Sequence, residues 1–343
     1  MSKRVYFVIT TYNQERYIKD AVRAAFAQQF EPLTIIISDD CSSDATFDLV
    51  KQEVAAYTGE HRVLCRQSSQ NLGLARHANA LNDFIGKDMG EADAALIIGA
   101  AGDDISLPER TAILYEKWKQ LNFADVSLFS AMQTVAEDGI TLVEFYGMDC
   151  SKDNLTAAAF ASGTFSVYGC TQAFSKGLFD TFGPLFEKVV HEDAVIPFRA
   201  ALRGGVHFID RPLVCYRRVS GSAWKARSQR TSKDARLQFL RHASGNVAVA
   251  ENQFADLQRY LQIDTNISHE KIGCRLQKKL DHYRYEARLA QASSHVERLI
   301  IMLGAVRAKV PVRKVFKWFS IFFMPSFYQY ITMRQAKKKS DHV

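Results

Sequence analysis

The chain has 343 residues, 47% of them hydrophobic and 24% charged, with a net charge of +7. This is ordinary globular composition, long enough for one large α/β domain and something smaller. Cys41, Cys65, Cys150, Cys170, Cys215 and Cys274 form no CxxC pair, which argues against a zinc site or disulfide scaffold and fits a reducing cytoplasm. The positive charge gathers toward the C-terminal end, without a zinc-finger or RNP-type pattern, so nucleic acid is not the expected partner. An anionic membrane surface or a phosphate-bearing substrate fits instead.

The first residues enter a short apolar run with no small-residue cleavage site, which reads as a strand and not a signal peptide. Arg4 to Thr10 is rich in β-branched and aromatic residues and ends at the polar Thr11-Tyr12-Asn13-Gln14. From Tyr17 to Phe30 the apolar positions recur at helical spacing, through Ile18, Ala21, Val22, Ala25 and Phe26. Leu33 to Ser38 predicts a second buried strand, followed by Asp39-Asp40 and a helix capped by Ser43 or Asp44. Arg62 to Cys65 predicts a short strand, the stretch from Asn71 to Ile85 a helix, and Ala94 to Ile98 another strand. Such alternation predicts a Rossmann-like, mostly parallel sheet with right-handed crossovers, whose ligands lie outside the carboxyl ends of the strands. Further strands are expected at Val126 to Met132 and Gly205 to Ile209. After Arg230 the pattern becomes helical and basic.

The strand ends carry the chemistry. Asp103 and Asp104 follow the Ala94 strand, where they are either a solvated turn before a helix capped by Ser106 or ligands of a divalent cation. Asp39-Asp40 is either an Asx-type turn or a contact for a base or ribose. His191-Glu192-Asp193 opens a helical stretch, as an acidic helix start or as a general base for an acceptor hydroxyl.

Taken in order, ITTYNQERYIKDAV, ISDDCSSDAT, NLGLARHAN, IIGAAGDDISLPER, HEDAVIPFRAALRGG and PLVCYRR resemble the family-two type of inverting glycosyltransferases, over residues 4–222. The resemblance implies a GT-A fold and transfer of a sugar from a nucleotide-diphosphate donor, with UDP-linked hexoses or N-acetylhexosamines as default donors. It implies a saccharide or lipid-linked acceptor in cell-surface polysaccharide or O-antigen assembly. On this resemblance Thr10, Tyr12 and Glu15 line the nucleotide pocket, Asp40 contacts the base and Arg76 sits near the diphosphate or the neighbouring wall. Asp103 and Asp104 are the DxD element at the donor, Asp104 the more direct ligand of Mn²⁺ or Mg²⁺, Asp193 is the catalytic base, and Glu192 is a diphosphate or acceptor contact. Many relatives carry a histidine two residues after the Tyr-Arg pair. Here Tyr216-Arg217-Arg218 is followed by Val219, so either the metal has fewer protein ligands or Arg217 and Arg218 meet the diphosphate.

The expected organisation is a catalytic domain at 1–225, with a donor half to about 105 and an acceptor half from 106, then a helical, basic region at 226–343. A nucleotidyltransferase would want a glycine-rich basic loop after the first strand, which ITTYNQE lacks; a non-catalytic nucleotide-sugar-binding module would not need both acidic pairs and Asp193. Within residues 296–339 the apolar runs are too short to span a bilayer. The mixture of basic residues with Trp318, Phe319, Phe322, Phe323 and Phe327 predicts a peripheral contact with the inner face of the cell membrane, the alternative being packing on the catalytic domain or a second subunit.

Overall fold

A computed structural model describes residues 3–90, 92–146, 150, 155–219, 232–264 and 269–324. Strands β1 (Lys3–Thr11), β2 (Thr34–Asp39), β3 (Arg62–Gln67) and β4 (Ala94–Ala101) alternate with helices α1 (Ile18–Phe26), α2 (Thr46–Ala56) and α3 (Leu74–Asp88). Their order in the sheet is β3-β2-β1-β4, all parallel. The chain steps one way from β1 to β3 and returns to the far side of β1 with β4. The carboxyl ends of β1 and β4 therefore flank a topological switch point, where open α/β sheets bind their ligands. Every side chain of β2 is buried, because helices cover both faces. The Asp44 carboxylate accepts the Thr46 N–H at 3.0 Å at the start of α2, as the cap expected there would.

The second half begins with β5 (Ile105–Ser106), α4 (Arg110–Gln120), β6 (Ser127–Val135), β7 (Leu142–Tyr146) and α5 (Ala157–Ser162). It continues with β8 (Ala173–Ser175), α6 (Gly177–Phe182), α7 (Glu192–Leu202) and β9 (Val206–Arg217). Antiparallel β8 joins β4 to β6, β9 runs parallel to β6, and β5 closes antiparallel on β9. Among the described residues this makes one mixed sheet of nine strands. Ser106 is no helix cap: it lies in β5, where its hydroxyl accepts from Arg110 at 2.8 Å.

Helices α8 (Ser232–Leu261), α9 (His269–Gln291), α10 (His295–Arg307) and α11 (Val312–Phe323) form the expected helical region. The boundary expected at residues 220–230 lies outside the described residues. Helix α8 packs on α7 through a fully buried ion pair, Arg199 Nε to Asp256 Oδ2 at 2.8 Å, and Gln253 donates to the Ala194 carbonyl at 2.7 Å. The aromatic stretch departs from expectation. Trp318 is buried, stacks on His282 at 5.1 Å and donates to Glu286 at 3.0 Å; Phe322 is buried edge-on to Phe239. With Leu289, Ile301, Met302 and Ala305 they form a separate small core. These two rings are thus withdrawn from any membrane surface, because a tryptophan with an internal acceptor is better satisfied inside. Phe327 lies outside the described residues. Among the described residues no helix is long and apolar enough to cross a membrane.

Candidate active site

A cavity of about 560 Å³ opens at the switch point. Its wall comes from the end of β1 (Thr10, Thr11, Tyr12, Gln14), the end of β4 (Gly99 to Ala101), Asp40, Gly169-Cys170 and Glu192. Thr10 is exposed toward it and Tyr12 keeps 47% of its surface accessible, as an open wall requires. The far wall, with Leu81, Ile85, Ile97, Phe174 and Phe179, is apolar.

The acidic pair lies just past β4. Asp104 is 5% exposed and accepts the Arg217 N–H at 2.9 Å. Burial, then the charge of Asp103, pushes its carboxyl up to about 8, against the partial relief of that N–H and of the Cys170 thiol. Asp103 is half-buried and is raised by burial too, with Gln14 hydrogen-bonding to it. This is no solvated turn. Two desolvated, mutually repelling carboxylates, next to the wall residues Ala101 and Cys170 but not themselves in the cavity wall, are a donor set that a hard divalent cation would relieve. Among the described residues no group of three or more His, Cys, Asp or Glu is arranged to hold a metal. A cation would thus take two carboxylates from this chain and further oxygens from elsewhere, and on those terms the residues fit it.

Beneath the pair lies a residue that the sequence reading missed. Arg110 is fully buried, donating to the Gly99 carbonyl at 2.8 Å and the Cys170 carbonyl at 2.9 Å. Burial pushes its guanidinium down to about 10. It ties the end of β4 to the Gly169-Cys170 segment and places a fixed positive charge near Asp104. Its only signal in sequence was an arginine in LPER, just after the acids.

Asp193 stands in the first turn of α7, where helix-end N–H groups favour an acid. Its carboxyl accepts a backbone hydrogen bond from Gly169, yet burial raises it to about 6. Burial and the neighbouring Asp193 charge raise Glu192 to about 8. Gly169 is close enough that a Cβ there would lie 3.2 Å from Glu192 Oε1 and 3.6 Å from Asp193 Oδ2.

Other expected residues lie nearby in different roles. Asp40 accepts the Leu72 and Gly73 N–H groups at 2.9 and 2.8 Å, pinning the loop before α3. Asp39 makes the Asx-type turn, accepting the Ser42 N–H at 2.8 Å. Glu15 is exposed and accepts the Ala45 N–H at 3.0 Å. Arg76 is exposed on α3 and folds back on the Leu72 carbonyl at 2.8 Å, outside the cavity wall. The Arg217 guanidinium is taken by protein acceptors, donating to the Asp103 and Glu137 carbonyls at 3.0 and 2.7 Å and to Asp20 at 2.6 Å. Arg218 is half-buried beside it, its N–H donating to the Val135 carbonyl at 2.9 Å.

The family described as Glycosyl transferase family 2 matches residues 6–181. The chain belongs to that family. An uncharacterized protein of Mycobacterium tuberculosis is 28% identical over 222 residues, 63% of this chain and 59% of that protein. The chain thus spans well under two-thirds of that relative's length. The succinoglycan biosynthesis protein ExoO of Rhizobium meliloti is 27% identical over 261 residues, 75% of this chain and 68% of ExoO. The crystal structure of S. aureus TarS 1-349 in complex with UDP-GlcNAc superposes with a TM-score of 0.51 at 15% identity, covering 99% of this chain and 92% of that one. That likeness establishes the GT-A architecture.

Proposed function

We propose that the protein is an inverting glycosyltransferase. It moves a hexosyl or N-acetylhexosaminyl group from a nucleotide-diphosphate donor, UDP-linked by default, to a saccharide or lipid-linked saccharide in cell-surface polysaccharide synthesis. The observation that carries this reading is one cavity at the switch point, whose wall residues Ala101 and Cys170 adjoin the desolvated acid pair and whose wall residues Gly169 and Glu192 adjoin Asp193. The part of ExoO in succinoglycan biosynthesis supports the polysaccharide setting.

The wall of Thr10, Thr11 and Tyr12 takes the nucleotide, with Asp40 near the base. Asp104, assisted by Asp103, holds Mn²⁺ or Mg²⁺, which supplies positive charge to the departing diphosphate when bound. Asp193 accepts the proton of the acceptor hydroxyl as its oxygen bonds to the anomeric carbon. The bond from that carbon to the diphosphate oxygen breaks on the opposite face, so configuration inverts. A carboxyl raised to about 6 is still mostly ionised near neutrality and is a stronger base than an ordinary aspartate. With a lipid-linked acceptor, the enzyme works as a peripheral protein on the inner face of the cell membrane.

Calorimetry with UDP- and GDP-linked sugars, with and without Mn²⁺, is the first test, followed by NMR of the product's anomeric configuration. Metal-dependent binding of one donor and an inverted product are expected. A retained configuration, or no binding by any nucleotide-sugar, overturns the reading.

A further inference from the structure

Helix α10 has two faces. Ile301, Met302 and Ala305 are buried in the small C-terminal core. On the other side Val296, Leu299, Ile300, Leu303 and Val306 remain 66%, 40%, 62%, 61% and 47% exposed. At helical spacing Val296, Leu299, Ile300 and Leu303 fall within a stripe roughly 100° wide, the width with which a helix normally faces a core. Isolated exposed aliphatics need no explanation, but a contiguous stripe marks a contact. Helix α11 extends this character, exposing Val312 by 72% and Phe316 by 47%.

The charge around the stripe selects the occupant. From Arg298 to Met324 the sequence holds Arg298, Arg307, Lys309, Arg313, Lys314 and Lys317 and no acid at all. Arg307, Lys309, Arg313 and Lys317 are exposed. The nearest acid, Glu297, lies off the stripe and is taken by the cap of α10, accepting the Ser293 N–H at 2.8 Å. Pairing this face with a second copy would set the same cations against one another, at a cost in like-charge repulsion. A surface of anionic lipid answers both features, taking the aliphatics at its headgroup boundary and the cations at its phosphates.

We propose that the exposed face of α10, continued by the first turn of α11, is the surface on which the protein docks to an anionic bilayer. The proposal locates the membrane contact of the functional reading above, and assigns it to aliphatic side chains of α10 in place of the buried Trp318 and Phe322.

Sedimentation of the full-length protein with phosphatidylglycerol–phosphatidylcholine vesicles, and with phosphatidylcholine alone, tests it. Wild-type protein is expected to bind the anionic vesicles and to release at high salt. The double variant Ile300→Ser, Leu303→Ser should bind at least about tenfold more weakly, since each aliphatic kept in water forgoes about one such factor. Both positions are solvent-exposed, and an unchanged Tm shows that the variant is folded. Equal vesicle binding by both proteins, or none by wild type, overturns the proposal. So does a dimer of wild type without lipid that becomes a monomer in the variant. Donor calorimetry on the same samples separates the two readings: failure to bind any donor counts against glycosyl transfer and leaves the docking result standing.

Discussion

Gly169 and Cys170 are neighbours in sequence that touch opposite ends of the site. The Gly169 N–H donates to Asp193, and the Cys170 thiol donates to Asp104. Asp193 and the acid pair are thereby set by one short piece of backbone, itself anchored by Arg110 through the Cys170 carbonyl. A methyl group at residue 169 would crowd Glu192 Oε1 at 3.2 Å and meet Asp193 Cβ at an ordinary contact distance of 3.5 Å. Gly169→Ala should therefore lower transfer by about tenfold or more by displacing Glu192 beside the proposed base Asp193, with donor binding and Tm little changed. Steady-state kinetics beside a thermal melt measures the two effects.

Asp104→Ala should abolish metal-dependent donor binding, measured by calorimetry with Mn²⁺. Undiminished turnover with Mn²⁺ present would remove Asp104 from the metal site. Asp104→Asn carries a second expectation. The folded protein holds the Asp104 proton up to about 8, while an unfolded aspartate releases it near 3.8. The folded state binds the extra proton in that window, so stability falls as pH rises through it. In chelator, the decline of Tm between those pH values should be shallower for Asp104→Asn than for wild type.

Asp193→Asn should keep donor binding and lose transfer by ~10²–10⁴-fold, the usual worth of a general base. The wild-type rate should rise with pH along an acid limb near 6, as the carboxyl ionises, and the variant should lack that limb. A variant in which donor binding and transfer fall together would identify Asp193 as structural.

Asp256→Ala should destabilise the protein by ~3–5 kcal/mol, because Arg199, fully buried, loses its carboxylate partner. Thermal or urea unfolding reads this directly. A loss below about 1 kcal/mol, the value for an exposed pair, would show that water reaches the guanidinium.

Much of the donor half was legible in sequence. The run from Leu33 to Ser38 has the unbroken apolar centre Ile35-Ile36-Ile37 that a strand covered on both faces requires, and the acids at such strand ends mark the rim by topology alone. What escaped was the partnering of cations. Tyr216-Arg217-Arg218 reads as charge available to a phosphate, but the acceptors that claim Arg217 come from Asp20, Asp103 and Glu137, positions separated by much of the chain. Arg110 escaped for the same reason, its carbonyl partners lying on β4 and beside β8. Trp318 and Phe322 of α11 were misplaced because an amphipathic stretch has the same pattern whether it meets lipid or other helices. Only the positions of α8 and α9 decide, and they put Phe239, His282 and Glu286 against it.

Helix α8 holds α7 at two points, Gln253 at Ala194 and Asp256 at Arg199, the first only one residue past Asp193. The C-terminal helices are consequently not an accessory that can be exchanged freely among relatives. A chimera that grafts a foreign helical region onto this sheet would inherit a different grip on the helix bearing Asp193. Acceptor preference and turnover would then shift together, however faithfully the donor half had been preserved.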